Sequence, residues 1–282
     1  MPFVDISSRA RLLLHSMAGA GADGYIEDCM LPSLSAELGI CASDLTGLKS
    51  GLSDPFLCLK TIYGHYAFSR RGKDRLHLSR IAVQALEQTA NPAKFAQFLA
   101  ERDASRLWDV FSAICEQHSR KPLEQLNRGI ISGLAELAQE IYRADGNGSI
   151  ADWAVSGIAT DQRLEPAFER IVDIRGVGPK ITSLLLRDIV LIHGIEDRVS
   201  LRDRLYVQPI DKWIRLIAPY VIEEPGIGDA ADWILAGKLA KYARHGNVSG
   251  IRFNIGVTAF GTREARHPMN FEAALENLLA SL

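Results

Sequence analysis

The sequence contains little cysteine, and its cysteines are widely spaced. Four are present among 282 residues, at positions 29, 41, 58 and 115. No pair has the close C-x-x-C spacing that structural zinc sites and iron–sulfur clusters use. We therefore predict no metal site of this kind. We interpret the cysteines as small apolar residues of a chain that is kept in a reducing compartment.

Long apolar runs and a strong charge of one sign are missing as well. No segment approaches the roughly 20 apolar residues that a membrane-spanning helix needs. The short run RLLL follows an acidic residue and precedes no clean signal-cleavage site. The formal net charge of −2 neither requires nor excludes a nucleic-acid partner. We expect a cytoplasmic protein without membrane contact, nucleoid-associated if its source is bacterial or archaeal.

Strand patterns are also absent, because no region alternates apolar and polar residues over any length. Apolar residues instead recur every three or four positions over residues 125–142, and again over residues 229–244. This period is typical of amphipathic helices. We predict an all-α protein with about a dozen helices joined by short turns.

Two familiar binding patterns occur without the context that they need. The segment GAGADG, Gly19 to Gly24, matches a dinucleotide-binding glycine pattern, but no strand precedes it and no βαβ unit surrounds it. We expect a glycine-rich turn between two helices there. Cys115 and His118 stand three positions apart, but no second pair supports a metal site.

A basic cluster lies in the segment SRRGKDRLHLSR. Arg70, Arg71 and Lys73 are its first three basic residues. Such a cluster can contact the phosphate backbone of DNA. A solvated loop that leads into a helix is the alternative interpretation.

The segment IRGVGPK, residues 174–180, predicts a tight turn between two helices. Asp161 is expected to cap the first helix, and Pro179 suits the first turn of the second because it has no N–H group to leave unpaired. Val177 is expected to fill the gap between the two helices. This arrangement is a helix–hairpin–helix.

A hairpin of this kind is suited to bind a DNA backbone. Glycines let the main chain approach a phosphate closely, and the unpaired N–H groups at the start of the second helix point outward. We predict backbone contacts from Arg175, Gly176, Val177 and Gly178. Non-catalytic DNA-binding proteins use the same hairpin, so the hairpin alone does not predict an enzyme.

A lysine sits where the helix dipole is unfavourable for its charge. Lys180 opens the second helix, at the positive end of its dipole, with apolar Val177 and Leu184 nearby in sequence. This environment favours the neutral amine, which is the form that can attack an electrophile. We therefore consider Lys180 a candidate nucleophile.

The next segment carries the resemblance to a known family. In YVQPIDKWIRLIA, residues 206–218, Asp211 follows a proline and an apolar residue and opens an amphipathic helix. A hairpin written G-V-G-x-K, followed by Pro-[Val/Ile]-Asp, resembles the helix–hairpin–helix/Gly-Pro-Asp superfamily of DNA glycosylases. The resemblance covers about residues 164–218. The segment GIRFNIGVTAFGT, residues 250–262, more weakly resembles the closing segment of some members.

The resemblance implies a role for each of the two residues. Lys180 would be the nucleophile of the bifunctional members, and Asp211 the acid that all members need. The chemistry is consistent, because a carboxylate near C1′ stabilises the positive charge that develops on the sugar, while an amine can form a Schiff base. Two simpler interpretations remain open: Lys180 binds a phosphate, and Asp211 only caps its helix.

The resemblance also implies an architecture. The chain would form a single two-lobed glycosylase-like unit over residues 1–282. One lobe would combine residues 1–120 with 220–282, and the other would hold residues 121–219. The helix–hairpin–helix motif would span residues 164–192, and the Pro-Ile-Asp segment residues 209–215.

The substrate and cofactors implied by the resemblance follow from its branches. The step of 31 positions from Lys180 to Asp211 resembles the longer step of the archaeal-type 8-oxoguanine DNA glycosylase branch, so we expect an oxidised purine as the base removed. The lack of C-terminal cysteines argues against an iron–sulfur cluster. No cofactor would be required, although a monovalent cation could bind the hairpin carbonyls. The partner would be lesion-containing double-stranded DNA, bound by a monomer.

A flipped base needs a pocket with aromatic or apolar walls. Trp213, Phe253 and Phe260 are the candidates for base stacking, and ordinary core packing is the alternative for each. Two other functions remain open for the chain. One is a non-catalytic helix–hairpin–helix DNA-binding protein. The other is a protein-interaction module with an internally packed hairpin, which a steep salt dependence of DNA binding would exclude.

Overall fold

The structure is a computed structural model that describes residues 6–41, 44–69, 72–101 and 103–282, without the side chains of Ala20 and Lys73. These residues lie in helices, turns and irregular loops, and none of them forms a strand. The prediction of an all-α protein is therefore confirmed.

The described residues form sixteen α-helices. They are α1 Ser8–Ser16, α2 Ala22–Tyr25, α3 Leu31–Leu38, α4 Leu45–Ser53, α5 Pro55–Thr61, α6 Arg75–Thr89, α7 Phe95–Ala100, α8 Ser105–Gln117, α9 Glu124–Asp145, α10 Ile150–Asp161, α11 Glu165–Val172, α12 Pro179–His193, α13 Lys212–Val221, α14 Asp232–His245, α15 Gly250–Phe260 and α16 Phe271–Ser281. Short π-helical and 3-10 turns join or extend several of them. The two segments with the clearest helical period became α9 and α14.

Local sequence sets several of the helix ends. The Ser149 side chain accepts a hydrogen bond from the N–H of Asp152 at 3.1 Å, which caps α10. Asp54 caps α5 in the same way, and Pro55 is the first residue of that helix. Gly194 ends α12 in the left-handed conformation, which glycine adopts without steric cost.

The first helix of the hairpin begins later than predicted. Asp161 does not cap it, because Asp161 is the last residue of α10, and Gln162 follows in the left-handed conformation. Leu164 precedes the first residue of α11 instead, and no side chain caps that helix. Aspartate favours both helix starts and chain reversals, so the sequence alone does not distinguish the two positions.

The chain divides into two compact units. We call Pro32–Gly194 the central unit, and Met1–Leu31 with Ile195–Leu282 the terminal unit, after their positions in the sequence. These boundaries differ from the predicted lobes, 1–120 with 220–282 and 121–219. Residues 32–120 join residues 121–194 because α4 and α5 pack on α10, while α7 and α8 pack on α9.

The longest helix of the central unit, α9, has 22 residues and carries two glycines that face the hairpin. A Cβ atom on Gly129 would lie 2.6 Å from the carbonyl oxygen of Arg175, and one on Gly133 would lie 2.6 Å from Ile174 Cγ2. Only glycine allows this approach. The hairpin turn therefore rests directly on the backbone of α9.

A buried polar cluster lies on the other part of α12. The Asp188 carboxylate accepts hydrogen bonds from Arg187 Nε at 2.8 Å and from the Tyr66 hydroxyl at 2.9 Å. Both charged side chains are at most 3% exposed. His65 packs edge-on against Tyr66, and burial lowers the pKa of His65. The charges of Arg187 and Asp188 are thus paired inside the core, as buried charges must be.

In the terminal unit, α15 is buried along most of its length. A Cβ atom on Gly256 would overlap the carbonyl oxygen of Met17, so this crossing requires glycine. In the glycine-rich segment 19–24, where a turn between two helices is expected, two helical stretches meet at a kink at Gly19, whose dihedral angles are non-helical. The segment then continues into α2 from Ala22.

No helix among the described residues is both long and apolar enough to cross a bilayer. No group of three or more His, Cys, Asp or Glu side chains in this part of the chain could hold a metal ion.

Candidate functional site

The hairpin turn has the backbone geometry that its glycines predict. The N–H of Val177 donates to the carbonyl oxygen of Ile174 at 2.9 Å, and Gly176 has a φ of +93°. A Cβ atom on Gly176 would lie 2.7 Å from Ile130 Cγ1. The turn is therefore restricted to glycine at this position by its dihedral angle and by its packing. Val177 is 3% exposed and fills the space beneath the turn.

Gly178 opens the second helix of the hairpin. Its carbonyl oxygen accepts the N–H groups of Ile181 at 3.0 Å and Thr182 at 3.1 Å. Because glycine has no side chain and Pro179 follows it, no side chain in the described part of the chain caps this helix N-terminus. The N–H groups in the first turn of α12 thus lie at the positive end of the helix dipole and are not capped by the side chain of the preceding residue.

Lys180 is the second residue of α12 and is half-buried. Within the described part of the chain, its amine has no hydrogen-bond or ion-pair partner. The amine is therefore available to a ligand from the start of α12.

The Pro-Ile-Asp segment of the terminal unit presents a carboxylate with two unequal oxygens. Asp211 Oδ1 accepts hydrogen bonds from the N–H groups of Trp213 and Ile214, each at 2.9 Å. This is the capping role that the sequence allowed. Oδ2 takes no part in the cap and lies 3.4 Å from the Thr258 hydroxyl. Capping thus uses one carboxylate oxygen and leaves the other outside the cap.

Two residues of α15 support this segment, and sequence reasoning missed both. Asn254 Nδ2 donates to the carbonyl oxygen of Pro209 at 3.1 Å, and Thr258 contacts Asp211 one helical turn later. The available signal was a pair of polar residues four positions apart in the stretch GIRFNIGVTAF, where Arg252 is the only other polar residue. Such a pair lies on one face of a helix.

The three aromatic candidates for a base pocket lie in the core of the terminal unit. Phe253 is fully buried, Trp213 is 3% exposed, and the Trp213 ring stacks on Phe271 with 5.9 Å between centroids. Phe260 packs edge-on against Phe271 and also lines a cavity of about 530 Å³. Of the three, Phe260 alone borders this cavity, together with Arg263 and other residues of the unit.

The predicted DNA-backbone residues are only partly described. Arg175 is exposed and borders a groove of about 550 Å³ between α9 and α11. Gly176, Val177 and Gly178 form the turn beside it. Arg70 and Arg71 lie outside the described residues, as does the Lys73 side chain.

The two predicted catalytic residues belong to different units of the chain. Lys180 lies with the hairpin glycines in the central unit, and Asp211 lies with Trp213 in the terminal unit. Within its own unit, each residue opens an α-helix and presents a polar group that is not fully engaged by the protein.

Comparisons with known proteins identify no relative. No protein-family model matches the chain, and searches of curated proteins and of solved structures find no match. The function is therefore inferred from the residues of the chain and their geometry.

Proposed function

We propose that this chain is a DNA glycosylase of base-excision repair, with an associated lyase activity at the abasic site. Its substrate would be double-stranded DNA that contains an oxidised purine such as 8-oxoguanine. The observation that carries the proposal is the Lys180 amine at the start of α12, which has no hydrogen-bond or ion-pair partner among the described residues. The Asp211 carboxylate supports it, because only one oxygen is used for capping.

In the proposed reaction, the neutral Lys180 amine attacks C1′ of the damaged nucleotide. A bond forms between Nζ and C1′ while the glycosidic bond breaks, and the base leaves with the electron pair of that bond. The Asp211 carboxylate stabilises the positive charge that develops on the sugar. The departing base takes up a proton from solvent. The C1′–O4′ bond then breaks as a proton passes from Nζ to O4′, which gives a protonated Schiff base; loss of a C2′ proton to solvent then expels the 3′ phosphate. The reaction requires no cofactor.

The hairpin supplies the proposed DNA contact. Backbone N–H groups at a helix N-terminus bind phosphate without reading the base sequence. Arg175 is exposed beside the turn and adds a positive charge. The cavity bordered by Phe260 is the proposed site of the flipped base, because an aromatic edge and polar groups such as Arg263 line it.

Borohydride trapping tests the proposal directly. A labelled duplex containing 8-oxoguanine is incubated with the wild type, Lys180→Gln, Asp211→Asn and the control Lys212→Gln. Lys212 is an exposed lysine next to Asp211, with its Nζ 4.3 Å from the Trp213 ring centroid. We expect a trapped complex with the wild type and Lys212→Gln, and none with Lys180→Gln.

Two other outcomes would change the assignment. Base release without trapping would leave Asp211 as the catalyst and make Lys180 a phosphate contact. The absence of both trapping and base release on a panel of lesions would contradict the proposal.

The second candidate function is a non-catalytic helix–hairpin–helix DNA-binding protein. The observation that favours it is the complete cap that Asp211 forms on α13, since capping alone explains an aspartate at this position. Tight duplex binding together with the absence of trapping and base release would support this function.

A further inference from the structure

Helix α15 holds the Pro-Ile-Asp segment at two points. Asn254 is 1% exposed, and its side-chain amide donates to the Pro209 carbonyl oxygen at 3.1 Å. Thr258, four residues further along the same helix, places its hydroxyl 3.4 Å from Asp211 Oδ2. The two contacts lie on either side of Ile210, so they constrain both the backbone before the aspartate and its side chain.

The hydroxyl of Thr258 has two acceptors within reach but only one hydrogen. The carbonyl oxygen of Asn254 lies 3.1 Å from Thr258 Oγ1, in the back-bonding geometry that threonine commonly adopts in helices. Asp211 Oδ2 is slightly further away, but a hydrogen bond to a carboxylate is charge-assisted and stronger. Rotation of the hydroxyl hydrogen about the Cβ–Oγ1 bond of Thr258 therefore moves this hydrogen bond from the Asn254 carbonyl oxygen to Asp211 Oδ2.

The two carboxylate oxygens have different environments because of this arrangement. Oδ1 accepts two backbone N–H groups of α13. Oδ2 has the Thr258 hydroxyl as its single polar contact among the described residues. Rotation of the carboxylate would break the cap and this contact together.

We propose that Asn254 and Thr258 are positioning residues that hold the Asp211 carboxylate with Oδ1 in the helix cap and Oδ2 toward the reacting sugar. This inference rests on the proposed glycosylase function for its purpose. Displacement of a catalytic group by about 1 Å can cost roughly a hundredfold in rate. Two contacts from one rigid helix restrict such a displacement.

Amide hydrogen exchange tests the positioning of the Asp211 carboxylate and requires no enzymatic activity of the protein. The N–H groups of Trp213 and Ile214 are bonded to Asp211 Oδ1, so their protection reports the position of the carboxylate. Thr258→Val removes the hydroxyl at nearly constant volume, and Thr258→Ser retains it. We expect Thr258→Val to speed exchange of both amides roughly threefold to tenfold, and Thr258→Ser to restore their protection.

Three further variants complete the experiment. Asp211→Ala removes the cap and sets the upper limit of exchange at both amides. Thr262→Val removes a hydroxyl that donates to the Thr258 carbonyl oxygen at 2.8 Å and is the matched control. Asn254→Ser withdraws the support of Pro209 and is expected to speed the same two amides.

A kinetic measurement links the positioning to the reaction. In single-turnover base release, Thr258→Val is expected to lower the rate about tenfold without changing the Kd for the lesion duplex, and Thr258→Ser to restore it. Unchanged exchange in both Thr258→Val and Asn254→Ser would overturn the inference, as would a loss of rate that Thr258→Ser does not restore. A wild type that releases no base would instead contradict the proposed function, while the exchange data still decide the positioning.

Discussion

The Asp211 side chain caps a helix with one carboxylate oxygen, while its proposed chemical role would use the other. Its Oδ1 satisfies two N–H groups that would otherwise lack partners at the start of α13. Its Oδ2 contributes nothing to this cap. A capping aspartate is common in helices, so the cap explains the fold without explaining the function. The two roles can be separated by substitutions that treat the two oxygens differently.

Asparagine and alanine at position 211 should have different consequences. Asparagine is also a good N-cap, so Asp211→Asn should change the free energy of unfolding by less than about 0.5 kcal/mol, whereas Asp211→Ala should lower it by about 1 kcal/mol. Both variants lose the carboxylate charge and should slow base release at least about a hundredfold. Urea unfolding and single-turnover kinetics measure the two effects. Base release that persists in Asp211→Asn would restrict Asp211 to capping.

At the scale of elements, glycine determines how closely the hairpin approaches its neighbours. Gly176 provides the turn with a positive φ, while Gly129 and Gly133 remove side chains from the helix below it. The hairpin is thus built against the backbone of α9. Because the turn packs directly on α9, the packing of the central unit fixes the position of the turn and of the first residues of α12.

The Gly176→Ala variant should destabilise the central unit more than Gly194→Ala does. Both glycines have a positive φ, +93° and +65°. An alanine at position 194 meets open space and should cost only the left-handed backbone penalty of about 1–2 kcal/mol. An alanine at position 176 would also collide with Ile130 Cγ1, at 2.7 Å, and should cost clearly more. Urea unfolding of both variants measures the difference, and equal losses would contradict this packing.

At the scale of the whole molecule, positive and negative charges nearly balance, because the net charge is −2. Inside the central unit, the buried charges of Arg187 and Asp188 are paired with each other. His65 lies close to this pair. Burial lowers the pKa of His65, an effect that Asp188 opposes and that Arg75 and Arg187 reinforce. The stability of the protein should therefore depend on pH below about 6.5, between the folded and unfolded pKa values of His65.

The direction of the pH dependence follows from proton binding. Unfolded, His65 titrates near its ordinary value of about 6.5. In the folded protein, the pKa of His65 is lower, so His65 binds a proton only at lower pH. At a pH between the folded and the unfolded pKa, the unfolded state therefore binds more protons than the folded state. The free energy of unfolding should rise with pH across this window and fall as the solution is acidified below about 6.5.

The variant His65→Gln should flatten this pH dependence. Loss of one titrating group removes at most about 1.4 kcal/mol per pH unit from the slope of unfolding free energy against pH. Urea unfolding at a series of pH values measures the slope for the wild type and the variant. His15→Gln, at an exposed histidine, is the control for the loss of a histidine. A slope that His65→Gln leaves unchanged would contradict the inferred burial effect.

The sequence by itself determined the elements whose causes are local. The apolar period predicted α9 and α14, and the order Gly-Val-Gly-Pro predicted the turn and the first residues of α12. These features depend on residues within a few positions of each other, because helical hydrogen bonds and turn dihedral angles are short-range. The same local reasoning named Lys180 and Asp211 as residues that open helices.

Only the tertiary structure decided which distant residues meet. Asp161 ends a helix instead of starting one, and the segment 19–24 bends a helix that α15 crosses at Gly256. Thr258 contacts Asp211 across 47 positions of sequence. Such contacts depend on how helix faces pack, and packing is set by the complementary shapes of residues far apart in the chain. The spacing of residues in the sequence therefore does not predict which of these distant residues pack together.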